Sequence, residues 1–201
     1  MRPPGSRASG ACLALLVAIA LGAGCATTGG RLGGRVAATT RGRGLEATVI
    51  YLKGEATDRD LGGRTVVVEE GGRGFAPTLR AISTGTRVEF QNRDHVFHNA
   101  FSVSPAKPFD VGAIAPGEKR VVTFDEPGVI QVFCELHPKE AATLVVLPTP
   151  YFTRADAEGR FRLGHVPPGD YELVAWHPDL GEIHRDVRIP AKGTLRVDLS
   201  Y

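Results

Sequence analysis

What most constrains this chain is the recurrence of short β-branched and aromatic runs, each closed by glycine, proline or a polar turn, with no helical period between them. Such runs occupy residues 47–52 (ATVIYL), 64–69 (RTVVVE), 78–83 (TLRAIS), 86–91 (TRVEFQ), 120–124 (RVVTF), 129–134 (VIQVFC) and 142–147 (ATLVVL). In 86–91, Val88 and Phe90 alternate with Arg87, Glu89 and Gln91 as a half-buried strand requires. The 25 glycines and 14 prolines supply the turns that many short strands need. The pattern predicts an all-β chain built on a Greek-key β-sandwich. Pro148, Thr149 and Pro150 mark a boundary, after which turns at 155–160 and 166–170 separate further strand-like runs at 161–163, 171–176, 182–189 and 194–199. A second β-sandwich module of about fifty residues can bury only a modest core, so it is expected to pack on the first.

The first 24 residues read as an export signal rather than as fold. Arg2 and Arg7 give a positive start, residues 11–21 form an apolar run too short to span a bilayer, and Gly22, Ala23 and Gly24 make a small-residue exit. Cys25 follows directly, which resembles a bacterial lipoprotein cleavage site with the cysteine acylated. The apolar residue usual three places before that cysteine is here Gly22, with Leu21 one place further back, so simple cleavage nearby is the other reading. Residues 25–44, rich in Gly, Thr and Arg, read as a flexible tether, leaving 45–147 for the first domain and 148–201 for the second. The expected location is periplasmic, or membrane-anchored through Cys25 and facing the periplasm.

Charge and cysteine usage narrow the function. Without Arg2 and Arg7 the 24 basic residues fall to 22, equal to the 22 acidic ones, so nucleic acid loses its main support as a partner. Of the three cysteines, Cys12 leaves with the signal and Cys25 is a candidate for lipid, which makes Cys134 the free thiol of an exported chain. It is either an inert core cysteine or a thiolate held by a metal. A mononuclear type 1 copper site needs two imidazoles and a thiolate with a weak axial donor. Cys134 and His137 place two of these on one tight loop between strands, and His98 lies in a turn that the strand order can bring to the same end.

Residues 45–147 resemble the cupredoxin family, most nearly amicyanin and the plastocyanin-like methylamine-utilisation-like proteins. The resemblance is carried by Phe90-Gln91-Asn92, His98-Asn99, Phe124-Asp125-x-Pro127-Gly128 and Cys134-x-x-His137-Pro138. It implies a cupredoxin sandwich with His98, Cys134 and His137 as copper ligands at one end, one-electron transfer to a redox partner protein, and Asn99 as the residue that ties the two ligand loops together. Where amicyanin-like loops carry an axial methionine this chain has Glu140, and its one methionine is Met1. Glu140 either reaches the metal as a hard, charged donor that favours Cu(II), or turns to solvent and leaves three ligands, or shifts preference toward Zn(II).

Residues 153–171 resemble a carboxypeptidase-regulatory-like or transthyretin-like β module, which implies a non-catalytic adaptor. His95, His165, His177 and His184 have no spaced partner and are read as structural or surface residues, Trp176 as core, and Asp156 and Glu158 as turn residues. No nucleophile-and-base pattern or phosphate-binding loop is present, so an electron carrier is expected rather than an enzyme. The alternatives are a non-redox metal-binding or envelope structural protein that keeps the cupredoxin fold, and copper delivery or sensing.

Overall fold

The structure, a computed structural model, describes residues 29–38, 44–54, 63–72 and 74–201. The export signal and Cys25 lie outside the described residues. Among the described residues no helix is long and apolar enough to cross a membrane.

The all-β expectation holds: the described residues form sixteen strands and one short 3-10 turn, Leu45–Ala47. A four-stranded sheet takes the order β4 (Gly74–Ala76), β3 (Thr65–Gly71), β6 (Thr86–Asn92), β9 (Lys119–Phe124). It faces a five-stranded sheet of β5 (Leu79–Ser83), β11 (Ala141–Leu147), β10 (Gly128–Phe133), β7 (His98–Ser102) and β8 (Phe109–Ile114). Between them lies a core of Val68, Phe75, Ile82, Val88, Phe90, Phe124, Ile130, Val132 and Leu144, joined by Cys134. These inward positions are the alternate residues of each run, the period of two that a half-buried strand imposes.

A second sandwich pairs the sheet β12 (Phe152–Arg154), β2 (Val49–Lys53), β14 (Gly169–His177), β15 (Gly181–Ile189) with the sheet β13 (Arg160–Val166), β1 (Gly30–Ala37), β16 (Thr194–Ser200). Two sequence expectations change here. Residues 30–37, read as part of a flexible tether, form the central strand β1, parallel to β16 and antiparallel to β13. Leu32 and Val36 enter the second core beside Phe161 and Leu199, and the strand pairing satisfies a backbone that its own composition would leave in solvent. The run 47–52, assigned to the first domain, becomes β2 and pairs with β14 and β12 instead.

The two sandwiches meet along a third cluster of Ala47, Val49, Tyr51, Leu79, Val145, Leu147 and Val174. β2 is therefore buried on both faces, with Ile50 and Leu52 in one core and Val49 and Tyr51 in the seam. The same holds for β11, whose burial is unbroken from Ala142 to Leu147. Arg154 clamps the seam by donating to the carbonyl oxygens of Glu46 and, at 3.4 Å, Leu79.

Candidate metal centre

The end of the first sandwich where β6 turns into β7 and β10 turns into β11 gathers the chemistry. Buried Asn92 shapes the first loop: its side-chain amide donates to the carbonyl oxygens of Val96 (2.7 Å) and Ile114 (2.8 Å), and its Oδ1 accepts from the Asp94 N–H at 2.8 Å. His98 thereby begins β7 with its ring inside the sandwich, 1% exposed. The second loop closes on itself, Cys134 N–H donating to the Glu140 carbonyl (3.3 Å) and Glu140 N–H to that of His137 (2.9 Å). Asn99 joins the loops: its Oδ1 accepts from the Glu135 N–H at 2.7 Å while its amide donates to Asp110 at 3.0 Å.

His98, Cys134, His137 and Glu140 are brought together, each offering one donor atom within 4.8 Å of the others. Cys134 Sγ lies 3.8 Å from His98 Nδ1 and 3.5 Å from His137 Nδ1. Glu140 Oε2 lies 3.2 Å from His98 Nδ1 and 3.5 Å from His137 Nδ1. Both imidazoles thus turn Nδ1 toward the common point, and His98 Nε2 faces Asp94 Oδ2 at 3.4 Å, the carboxylate contact that fixes a ligating ring. The backbone N–H of His95 holds the Asp94 carboxyl below its ordinary range, and His98 adds to this.

Burial pushes the Cys134 thiol above its ordinary value, the Glu70 carboxyl pushes the same way, and the backbone N–H groups of Asn99 and Leu136 act against both. Without a cation the group is a neutral thiol already facing two donors that would support a thiolate. Two imidazoles, a thiol and a carboxylate at this spacing fit a thiophilic divalent ion such as copper or zinc.

The structure adds a residue that the sequence reading missed. Glu70, on β3, is fully buried and its Oε1 lies 3.4 Å from His98 Nδ1. Burial pushes its carboxyl up to about 7, against the opposing pull of the Cys134 thiol and His98, with Glu140 adding to the rise. The signal was present in the alternation Val66, Val68, Glu70, which puts the glutamate on the core side one residue past the expected end of the strand.

The remaining histidines stand apart from this cluster. His95 is exposed in the β6–β7 loop, His177 is buried with Nε2 3.3 Å from the Gly44 carbonyl, and His184 sits between Glu172 and Glu182 at 3.0 Å from each. Asp156 accepts from Arg160 (2.7 Å) and Glu158 N–H, as a turn residue. Trp176 packs half-buried against the seam.

Comparison with known proteins gives a family match over residues 149–197, to the model described as polysaccharide lyase family 4, domain II. That match replaces the carboxypeptidase-regulatory-like or transthyretin-like module expected for the C-terminal residues. No curated protein matches. The solved structures that are similar include a purple cupredoxin from Nitrosopumilus maritimus, 24% identical over 42% of this chain and 99% of that one, with a TM-score of 0.37. A Cu-containing nitrite reductase from Thermus scotoductus SA-01 is 24% identical over 55% of this chain and 28% of its own, with a TM-score of 0.40. A point mutant of amicyanin in its Cu(I) form is 19% identical over 48% of this chain and 97% of its own, with a TM-score of 0.39.

Proposed function

We propose that this chain is an exported mononuclear copper protein that carries single electrons to a partner protein. The observation that carries this reading is the convergence of His98 Nδ1, Cys134 Sγ and His137 Nδ1, with the sulfur buried at the end of a rigid sandwich. Copper held there would supply a one-electron couple with a thiolate in its coordination sphere. The chain's own residues do the positioning: Asp94 orients the His98 ring, Asn99 locks the Cys134 loop to β7, and the Asn99 and Leu136 amides favour the anionic sulfur. His137 is 38% exposed by side chain and gives the site an edge toward solvent. The ligand loops also expose Val96, Phe97 and Leu136, an apolar rim suited to brief contact with a redox partner. Export and a membrane tether through Cys25 belong to the same proposal, and the second module would serve as a non-catalytic spacer and support.

Loading the purified protein with Cu(II) tests this. Intense visible thiolate-to-copper charge transfer is expected at one copper per chain, and Cys134→Ala should abolish it. A colourless complex identical in both proteins would reject the assignment. Glu140 favours a second reading, because two imidazoles, a thiolate and a carboxylate also suit tetrahedral zinc without redox use. Tight zinc binding with no reversible electrochemical response of the copper form would select it.

A further inference from the structure

Glu70 stands on the core face of β3, two residues beyond Val68, in a position that simple packing would give to an aliphatic side chain. Its side chain is 0% exposed, and among the described residues neither carboxyl oxygen has a hydrogen bond of acceptable geometry. A buried carboxyl left without a hydrogen-bond partner carries an uncompensated desolvation cost, which native structures seldom leave standing. Its Oε1 lies 3.4 Å from Nδ1 of His98, which also faces Glu140 at 3.2 Å, while His98 Nε2 faces Asp94 at 3.4 Å. Three carboxyl groups thus converge on one imidazole. A fully buried carboxyl without a partner, set against two imidazoles, a thiol and a second carboxyl, is an arrangement that a bound cation would complete.

The surrounding backbone delivers Glu70 to the ligands. β3 runs parallel to β6 with Glu70 opposite Asn92, the residue that shapes the His98 loop. On its other side Glu70 pairs with Phe75 in the β3–β4 hairpin. That hairpin sets Gly74, at φ +85°, where an added Cβ would approach Glu140 Cγ to 3.3 Å. The same hairpin therefore carries one carboxylate inward and leaves room for the other. Glu70 Oε1 thereby lies 3.4 Å from the same His98 Nδ1 that faces Cys134 Sγ at 3.8 Å and Glu140 Oε2 at 3.2 Å.

We propose that Glu70 is a fifth donor of this centre, so that the metal is held by two imidazoles, one thiolate and two carboxylates. The inference rests on the metal reading above and deepens it. Two hard, charged oxygen donors beside a thiolate favour the divalent over the monovalent ion, so the centre is biased toward oxidised copper and toward a low reduction potential.

Copper(II) added to the full-length protein and to Glu70→Gln provides the test. The substitution keeps the shape of the side chain and removes the charge, so the apo-variant should fold with unchanged far-ultraviolet circular dichroism. The wild type should bind one copper, whereas Glu70→Gln should bind it about tenfold more weakly or worse in chelator competition, with displaced charge-transfer bands and electron paramagnetic resonance parameters. The crystal structure of the copper-loaded wild type should place a Glu70 oxygen at bonding distance, about 2.0–2.2 Å by analogy with carboxylate–zinc bonds. Superimposable spectra with equal affinity, or Glu70 oxygens well outside that distance, would overturn the proposal, and the second measurement stands even if the variant does not fold. A wild type that takes up no copper through Cys134 overturns the metal reading itself and is recognised without any variant.

Discussion

Asn99 shows how much of the centre depends on single side chains that never touch a metal. Its Oδ1 holds the Glu135 N–H at 2.7 Å and its amide holds Asp110 at 3.0 Å, so one buried residue fixes the start of the Cys134 loop to β7 and β8. Asn99→Ala leaves the Glu135 N–H without its partner and Asp110 with the Gly112 N–H alone, at a cost of about 1–3 kcal/mol. Metal affinity should fall by roughly 10–100-fold, the usual loss when a supporting hydrogen bond is removed. Urea midpoints of the apo-protein and chelator competition of the loaded protein measure the two effects separately; unchanged affinity would mean that the loop holds its geometry without Asn99. At this scale the sequence was informative where ligand chemistry is local. Cys134 and His137 share one short loop, so spacing alone pairs them. The alternation Val66, Val68, Glu70 marks the glutamate as core-facing, but what it faces was illegible, because that comes from β3 lying parallel to β6, a pairing between segments twenty or so residues apart that no local pattern encodes.

At the scale of elements, the strands that alternate or run apolar were legible, and the exceptions have physical causes. β2 and β11 read as continuous apolar runs because each is buried on both faces, once in a core and once in the seam. β1 was not legible, since GRLGGRVA carries glycines that disfavour a strand and arginines that suit a tether. Its glycines have a packing role instead: a methyl added at Gly34 would run into the carbonyl oxygen of Val197 on β16 and approach the Phe161 ring to 3.1 Å. Gly34→Ala should therefore force β1 and β16 apart and destabilise the second sandwich by about 1–3 kcal/mol, as overpacking does. A thermal midpoint lowered by a few degrees, with copper binding at Cys134 unaltered, is the expected result in a chain of this size. No change in midpoint would show that β1 contributes little to the fold.

The whole molecule is two sandwiches whose order along the chain is interleaved: β1 and β2 come first in sequence yet complete the sandwich whose other strands lie after Pro150. The boundary expected at residue 45 divides strands that pair with β13, β14 and β16, so a chain ending at 147 would leave β1 and β2 without partners. The metal-side sandwich, by contrast, draws its nine described strands from residues 65–147. What it would lose in isolation is the cover over Leu79, Val145 and Leu147, which face Val49, Tyr51 and Val174 across the seam. A fragment of residues 63–147 should thus fold and take up copper with the charge-transfer spectrum of the full chain, because His98, Cys134, His137, Glu140, Glu70, Asn92 and Asn99 are all inside it. It should also self-associate through its newly bared sheet face, since contiguous exposed apolar surface of this kind seeks a partner. Light scattering should then show oligomers that Val145→Ser with Leu147→Ser disperses, while the visible spectrum stays the same. A fragment that is monomeric without those substitutions would mean that the seam contributes little to association, and one that loses the spectrum would mean that the second sandwich supports the metal end through the length of β11.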